Sequence, residues 1–264
     1  MDTGSQLLLA RKEGPIGWIV LNNPARHNAV SLEMWRALLR LMPMISADTE
    51  IRAVIVTGAG ERAFSAGADI SEFEDLRATP EAVSEYDGIA EQACQALEHL
   101  PRPTIAMIRG YCIGGGLDLA LRCDLRLAST DARFGIPAAR LGLGYAFSDV
   151  RRLVQLAGPA AAKELFYSGR QFSAGEALEM HIVNRVTEPA QLERSVRELA
   201  ESIAGNAPLT IVAAKRCVIE ALRDASDADI EACQAMVDRC FASADYVEGR
   251  RAFMEKRRPV FRGI

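Results

Sequence analysis

The sequence predicts an α/β fold that ends in a helical region. In the first two-thirds of the 264 residues, short apolar runs alternate with stretches whose apolar residues recur at helical spacing. In the last third only the helical spacing continues. The composition, with 49% hydrophobic and 25% charged residues, is that of an ordinary globular protein long enough to bury a large core.

A hairpin and a helix are expected first. Residues 6–11 and 16–21 are short β-rich runs on either side of a turn at Gly14, which is a hairpin signal. Ser31 is a suitable N-cap for the amphipathic helix that follows, and Pro43 is expected to end or kink that helix.

Two central strands come next. Residues 53–57 and 104–109 are apolar runs of the kind that strands buried on both faces show. Gly58 and Gly60 stop the first run, and we expect a loop from there to about Asp69. The other elements expected in this part are a helix with apolar positions between residues 86 and 100, a short helix from residue 117 and a strand at residues 124–128.

The last third contains two amphipathic stripes, one formed by Leu192, Val196, Leu199 and Ile203 and the other by Ile211, Ala214, Val218 and Leu222. Helical signals continue weakly to about Phe253. Because one small core is not expected to cover both apolar faces, we expect copies of the chain to associate through this region. We therefore divide the chain into a core at residues 1–190, which carries the candidate site, and a helical region at residues 191–264.

Charge and composition exclude several classes of function. The net charge of −4 argues against nucleic acid as a partner, because a phosphate backbone attracts basic surfaces. No apolar run reaches the roughly 18 residues of a membrane span, and no secretory signal is evident. The six cysteines form no CxxC pair, which suits a reducing cytoplasm, and the three histidines are too scattered to indicate a metal site.

Two segments have the character of an anion-binding turn. One is Phe64 to Ile70, and the other is Gly110 to Asp118, which contains three consecutive glycines. Glycines at a helix start remove every Cβ, so a ligand can approach peptide N–H groups at the positive end of the helix dipole. This arrangement suits an oxyanion. A tight turn in which glycine merely fits is the alternative explanation.

Asp118 lies two residues beyond the three glycines, within the first turn of the predicted helix. A carboxylate there can accept and return a proton beside a stabilised oxyanion. The alternative is that the Asp118 carboxylate only interacts favourably with the positive end of the helix dipole.

The sequence resembles the enoyl-CoA hydratase/isomerase, or crotonase, superfamily. The residues that carry the resemblance occur in the family's order: Leu21 to Ala29, Thr57 to Ile70, Gly110 to Asp118, Phe134 to Pro137 with Leu141-Gly142, and Phe253 to Arg257. The resemblance covers nearly the whole chain. It implies a fold in which a spiral of ββα turns is followed by helices that mediate trimers, commonly paired into hexamers.

The resemblance also implies an acyl-CoA thioester as substrate, with coenzyme A as part of the substrate and no separate cofactor. Members of the family hold the thioester oxygen between two backbone N–H groups and stabilise an enolate. By position these groups belong to Ala68 and Gly115. The residues expected to contact substrate are Ala25, Arg26, Ala66, Ala68, Asp69, Ile70, Ser71, Gly114, Gly115, Pro137, Ala138 and Lys256, the last through the basic end of the chain.

Three positions depart from the hydratase pattern of this family. Hydratases carry one glutamate where this chain has Asp118 and a second where it has Ala138, so we expect weak hydration with Asp118 as the principal catalytic residue. Tyr145 resembles the methylmalonyl-CoA decarboxylase branch, although that branch has histidine at the position of Ala68. Double-bond isomerisation and decarboxylation therefore stay open beside hydration. Simple packing is an equal explanation for Tyr145.

Other classes of protein fit less well. Gly58 to Ala63 matches the dinucleotide pattern G-x-G-x-x-A, but Gly67 would interrupt the helix that this pattern requires. No P-loop and no G-x-S-x-G nucleophile elbow occur. A non-catalytic acyl-CoA-binding member of the same fold is the remaining alternative, because Ala138 transfers no proton.

Overall fold

Two parallel-rich sheets form the framework of the computed structural model, which describes residues 1–72, 76 and 78–264. The strands are β1 Leu8–Glu13, β2 Ile16–Leu21, β3 Ala53–Gly58, β4 Ala63–Ser65, β5 Thr104–Ile108, β6 Tyr111–Ile113, β7 Leu125–Ser129, β8 Arg133–Gly135, β9 Phe172–Ser173 and β10 Arg185–Thr187. The predicted strands are confirmed to within two residues at each end.

The larger sheet has the order β1-β2-β3-β5-β7-β10. β1 and β2 form the predicted antiparallel hairpin, with Leu8 opposite Leu21, and the other neighbours in this sheet are parallel. In register, Ile16 pairs with Ala53 and Val54 pairs with Thr104. β2 and β5 are buried along their whole length, which explains their continuous apolar sequences.

The smaller sheet has the order β4-β6-β8-β9, with its first three strands parallel. Three times in succession the chain lays one strand in the larger sheet, the next in the smaller sheet, and then forms a helix. This repeat is the ββα spiral that the family resemblance implies. The strands β4, β6 and β8 are each three residues long, too short for an alternating pattern to reveal them in the sequence.

The α-helices of the described residues are α1 Leu32–Ala47, α2 Pro80–Glu98, α3 Gly115–Arg122, α4 Ala138–Leu141, α5 Phe147–Ser168, α6 Ala174–Glu179, α7 Pro189–Ala204, α8 Pro208–Ala221, α9 Ile230–Phe241 and α10 Ala244–Met254. Single 3-10 turns occupy Pro24–Arg26 and Ile70–Glu72. Ser31 is confirmed as the N-cap of α1, because its hydroxyl accepts a hydrogen bond from the Met34 N–H at 3.3 Å.

Two expectations about local structure were wrong. α1 continues through Pro43 to Ala47, because Pro43 lies on the exposed face while Ile45 keeps the next turn anchored in the core. Water can satisfy the carbonyl group that proline leaves without a donor. The expected loop from Gly58 to Asp69 contains β4, and this strand also removes the dinucleotide alternative, since no helix follows the glycines.

The core has two parts, one on each face of the larger sheet. The first is the main core, where α1 and α2 pack. The second lies between this sheet and α7, whose Leu192 and Val196 are buried against Ile55 and Ile105. The first amphipathic stripe is therefore covered by its own chain. α8 to α10 instead expose large apolar side chains, among them Val218 and Phe253. The division at residue 190 and the assembly into trimers or hexamers stay predictions.

Asn28 holds the turn that leads to the candidate site. Its side chain is 1% exposed, accepts a hydrogen bond from Asn23 N–H at 3.0 Å, and donates to the carbonyls of Ala59 and Ala63 at 2.9 and 2.8 Å. We expect Asn28→Ala to lower the free energy of unfolding by about 3 kcal/mol, because it leaves three polar groups unpaired. Urea denaturation measures this change.

Asn22→Ala is the matched control. Among the described residues, the Asn22 side chain makes a single hydrogen bond, to the Gln6 carbonyl at 2.9 Å near the surface. We therefore expect Asn22→Ala to lower the free energy of unfolding by less than about 1 kcal/mol. Equal losses in the two variants would contradict the role given to Asn28.

Candidate functional site

The candidate residues follow three neighbouring strands of the smaller sheet. Ala68 comes just after β4, Gly115 just after β6 and Ala138 just after β8. These strands are parallel, so their carboxyl ends meet at one edge of the sheet. The structure therefore brings together the two glycine-bearing segments and the position of the absent glutamate.

Ala68 is held by a backbone bridge to Val30. The Val30 N–H donates to the Gly67 carbonyl at 2.8 Å, and the Asp69 N–H donates to the Val30 carbonyl at 3.0 Å. This pairing uses the groups on either side of Ala68. The Ala68 N–H itself donates to no acceptor among the described residues.

Gly115 begins α3, so its N–H has no acceptor within the helix. Gly114 precedes it with a φ of 54°, and the Gly114 N–H donates to the Gly135 carbonyl at 2.8 Å. A Cβ placed on Gly115 would lie 3.7 Å from the Ala68 nitrogen, and one on Gly67 would lie 3.5 Å from the Gly115 nitrogen. The two free amides therefore border the same small space.

Asp118 lies in the first turn of α3 and faces a buried group of polar side chains. Its carboxylate Oδ2 accepts a hydrogen bond from the Cys94 thiol at 3.5 Å, and its Oδ1 lies 3.6 Å from Arg122 Nε. No donor within the described part of the chain makes a hydrogen bond to Oδ1. Burial, reinforced by the charge of Asp149 and opposed by Arg122, raises the pKa of Asp118 to about 7. Asp118 can therefore hold a proton near neutral pH.

Arg122 is the centre of this polar group. Its side chain is 4% exposed, and its guanidinium binds Glu98 at 2.9 Å, Glu91 at 3.1 Å and Asp149 at 2.6 Å. Burial alone would lower the pKa of Arg122, but Asp118, Glu98 and Glu91 raise it, so the guanidinium stays charged. Sequence reasoning missed Arg122 and Asp149. The i,i+4 spacing of Asp118 and Arg122 was a usable signal, whereas nothing in the sequence links Asp149 to them.

Tyr145 and Ala138 complete the neighbourhood. The Tyr145 hydroxyl lies 3.7 Å from the position of a Cβ on Gly114, and its ring packs edge-on against Phe166 at 5.1 Å. Burial and the charge of Asp118 raise the pKa of Tyr145, so its hydroxyl stays protonated. Ala138 begins α4, is 5% exposed and presents only a methyl group.

The sequence model of the enoyl-CoA hydratase/isomerase family matches residues 11–263. The chain belongs to this family. A crystal structure of an enoyl-CoA hydratase/carnithine racemase from Magnetospirillum magneticum resembles it with a TM-score of 0.92 and 38% identity, covering 98% of this chain and 97% of that one. This likeness confirms the resemblance and the crotonase-type fold expected from the sequence motifs.

Two relatives with narrower names are also similar to this family member. The short-chain-enoyl-CoA hydratase of Clostridium acetobutylicum is 33% identical over 251 residues, which is 95% of each chain. The carnitinyl-CoA dehydratase of Salmonella typhi is 36% identical over 267 residues and covers 98% of this chain and 99% of its own. Both comparisons extend over nearly the full length of this chain.

Among the other substrate-contact candidates of this family member, Arg26, Asp69 and Ser71 contact one another. Arg26 Nη1 binds both carboxylate oxygens of Asp69 at 2.9 and 2.8 Å and also contacts Ser71. Burial tends to raise the pKa of Asp69, but the hydrogen bonds from Ser71 and Arg26 lower it overall. Exposed candidates are Ala25, Ala66, Ile70 and Ser71, while Pro137 caps α4.

Lys256 lies beyond α10 with a φ of 53° and an exposed side chain. Within the described part of the chain it makes no hydrogen bond or ion pair to another candidate residue. Its contact with substrate therefore stays a prediction.

Neither a metal cluster nor a membrane helix is found in the residues that the structure describes. No group of three or more His, Cys, Asp or Glu side chains there could hold a metal ion. Likewise, no described helix combines the length and apolarity that crossing a bilayer demands.

Gly115 and Gly116 are expected to tolerate a methyl group very differently. A Cβ on Gly116 would lie 2.6 Å from the Ser65 carbonyl oxygen, so Gly116→Ala must push α3 away from β4. We expect it to lower the free energy of unfolding by about 3 kcal/mol. Gly115→Ala meets nothing closer than 3.7 Å, and we expect a change within about 1 kcal/mol. Urea denaturation of both variants measures the difference, and equal stabilities would contradict this packing.

Proposed function

We propose that this protein is an enoyl-CoA hydratase that adds water to a trans-2-enoyl-CoA through a thioester enolate. The observation that carries the proposal is the pair of free amides, on Ala68 and Gly115, bordering one space. A thioester oxygen seated there accepts two hydrogen bonds, which strengthen as negative charge develops on it. The names of the two similar relatives, a hydratase and a dehydratase of coenzyme A thioesters, support this substrate class.

Asp118 is the proposed acid–base residue. In hydration, an oxygen lone pair of water forms the bond to the β-carbon, and the electrons of the carbon–carbon double bond move onto the thioester as an enolate. The α-carbon of the enolate takes the proton of the Asp118 carboxyl, and the proton lost by the water returns to Asp118. The product is a 3-hydroxyacyl thioester, the proton count of the enzyme is unchanged, and no separate cofactor takes part.

The methyl group of Ala138 makes hydration by this site slow. It stands where hydratases of this family carry a second carboxylate, so Asp118 serves both the water and the α-carbon. Double-bond isomerisation is the second candidate, because it needs only one group that removes a proton from one carbon and returns it to another. Decarboxylation is the third, favoured by the Tyr145 hydroxyl near Gly114.

The experiment that tests this proposal compares crotonyl-CoA, a 3-enoyl-CoA and methylmalonyl-CoA with purified protein. We expect slow hydration of crotonyl-CoA. The reaction is measured as the loss of absorbance of the conjugated double bond. Asp118→Asn should reduce kcat by about 10²–10⁴-fold with little change in acyl-CoA affinity, since it removes the proton donor. Gly115→Ala should reduce kcat about 10²-fold by placing a methyl group beside the Ala68 N–H.

Other outcomes of this comparison point elsewhere. Faster turnover of the 3-enoyl-CoA or of methylmalonyl-CoA would assign isomerisation or decarboxylation instead. Binding of acetoacetyl-CoA without turnover of any of the three thioesters would indicate a non-catalytic acyl-CoA-binding protein.

A second carboxylate at position 138 should accelerate hydration. We expect Ala138→Glu to raise kcat for crotonyl-CoA on the order of tenfold, because water then has its own proton acceptor. Ala139→Glu is the control, since the exposed Ala139 occupies the next position of α4 and should leave kcat unchanged. Rapid hydration by the unmodified protein, without any gain in Ala138→Glu, would show that the absent carboxylate is not limiting.

A further inference from the structure

The buried group of polar side chains around Asp118 and Arg122, here called the acid group, contains more negative than positive charge among the described residues. Four carboxylates lie within ion-pair distance of Arg122, those of Glu91, Glu98, Asp118 and Asp149, and their side chains are 26%, 17%, 13% and 19% exposed. Among the described residues, the one further cation that an ion pair joins to this group is Arg152, 3.5 Å from Glu98. Burying two uncompensated negative charges is costly, so the group favours binding a proton.

The geometry of the guanidinium decides which carboxylate is least compensated. Arg122 directs its two Nη atoms to Glu98, Glu91 and Asp149, all within 3.1 Å. Its Nε points toward Asp118 but stays at 3.6 Å without forming a hydrogen bond, so Asp118 Oδ1 lacks a donor. Asp118 and Asp149 therefore lie against the same guanidinium, Asp118 opposite Nε and Asp149 at 2.6 Å from Nη2.

We propose that Asp149 is a positioning residue that shares one proton with Asp118 and keeps that proton on Asp118 in the resting enzyme. Arg122 fixes Asp149 as the charged member of the pair, and the charged Asp149 repels a second negative charge on Asp118. The inference rests on the proposed function, since it assigns Asp118 the first step as proton donor. It adds that the charge that keeps the proton on Asp118 comes from Asp149 in α5, whereas position 138 in α4 carries no carboxylate.

Among the described residues, the titratable groups around Asp118 and Arg122 come from α2, from α5 and from the segment before α5. α2 contributes Glu91, Glu98 and the thiol of Cys94, which is fully buried and stays protonated because burial raises its pKa. α5 contributes Asp149 and Arg152, and the segment before it contributes the neutral hydroxyl of Tyr145. Asp149 is the carboxylate whose charge acts most strongly on Asp118, and burial together with Glu91 raises the pKa of Asp149 itself.

Asp149→Asn tests the proposal through a pH profile. Because Asp118 donates as the acid, kcat/KM of the unmodified protein should fall as the pH rises through about 7. Removing the charge of Asp149 lowers the pKa of Asp118, so this fall should move toward acid by about one pH unit or more. Activity lost at pH 8 should return when the pH is lowered. A residue with only a structural role would reduce kcat/KM equally at every pH.

Glu91→Gln is the matched control, because it removes a carboxylate from the same Nη atom of Arg122 without touching Asp118. We expect its pH profile to shift by less than half as much. An equal shift in both variants, or none in Asp149→Asn, would overturn the proposal.

A second measurement, by infrared spectroscopy, does not depend on turnover or on whether Asp149→Asn folds. Infrared difference spectra of the unmodified protein should show a protonated carboxyl band that disappears as the pH rises through about 7 and is absent from Asp118→Asn. If crotonyl-CoA is not hydrated but this band titrates, the proposed function fails and the shared proton stands. If the band is absent at pH 6, the shared proton is wrong whatever the reaction.

Discussion

The parallel pairing of β4 with β6 is the constraint on which the candidate site depends. These strands are three residues each, yet their register places the residues after β4 beside the start of α3. Gly116 makes this approach possible, since even one methyl group there would collide with Ser65. The two free amides border one space only because the strands end together.

Most of the larger sheet could be predicted from the sequence. Its central strands are buried on both faces, so apolar runs such as residues 53–57 identify them without any tertiary information. The smaller sheet could not be predicted in this way. Its strands are too short to show a period, and Ala63–Ser65 follows the turn at Gly58 and Gly60, so the sequence there indicates a loop. Pairing with a neighbour, rather than propensity, makes this segment a strand.

The candidate site, like the fold, could be predicted from the sequence only in part. The glycine turns and Asp118 could be predicted because their signals are local in the sequence. Three consecutive glycines mark an accessible backbone at a helix start, and Asp118 follows within the first turn. The contacts that set the charge of Asp118 come from α2 and α5, which lie far from α3 in the chain, so no spacing rule connects Asp149 with Arg122. Ala138 was found only by comparison with a pattern, since an alanine carries no chemical signal of its own.

The spiral has a consequence for how such an enzyme can diversify. Each ββα turn contributes one wall of the site: the first carries Ala68, the second Gly115 with Asp118, and the third Ala138. A substitution in the third turn leaves the backbone amides of the first two in place. Under the proposed function, position 138 can therefore change during evolution, and the reaction with it, while the amides proposed to bind the thioester are kept.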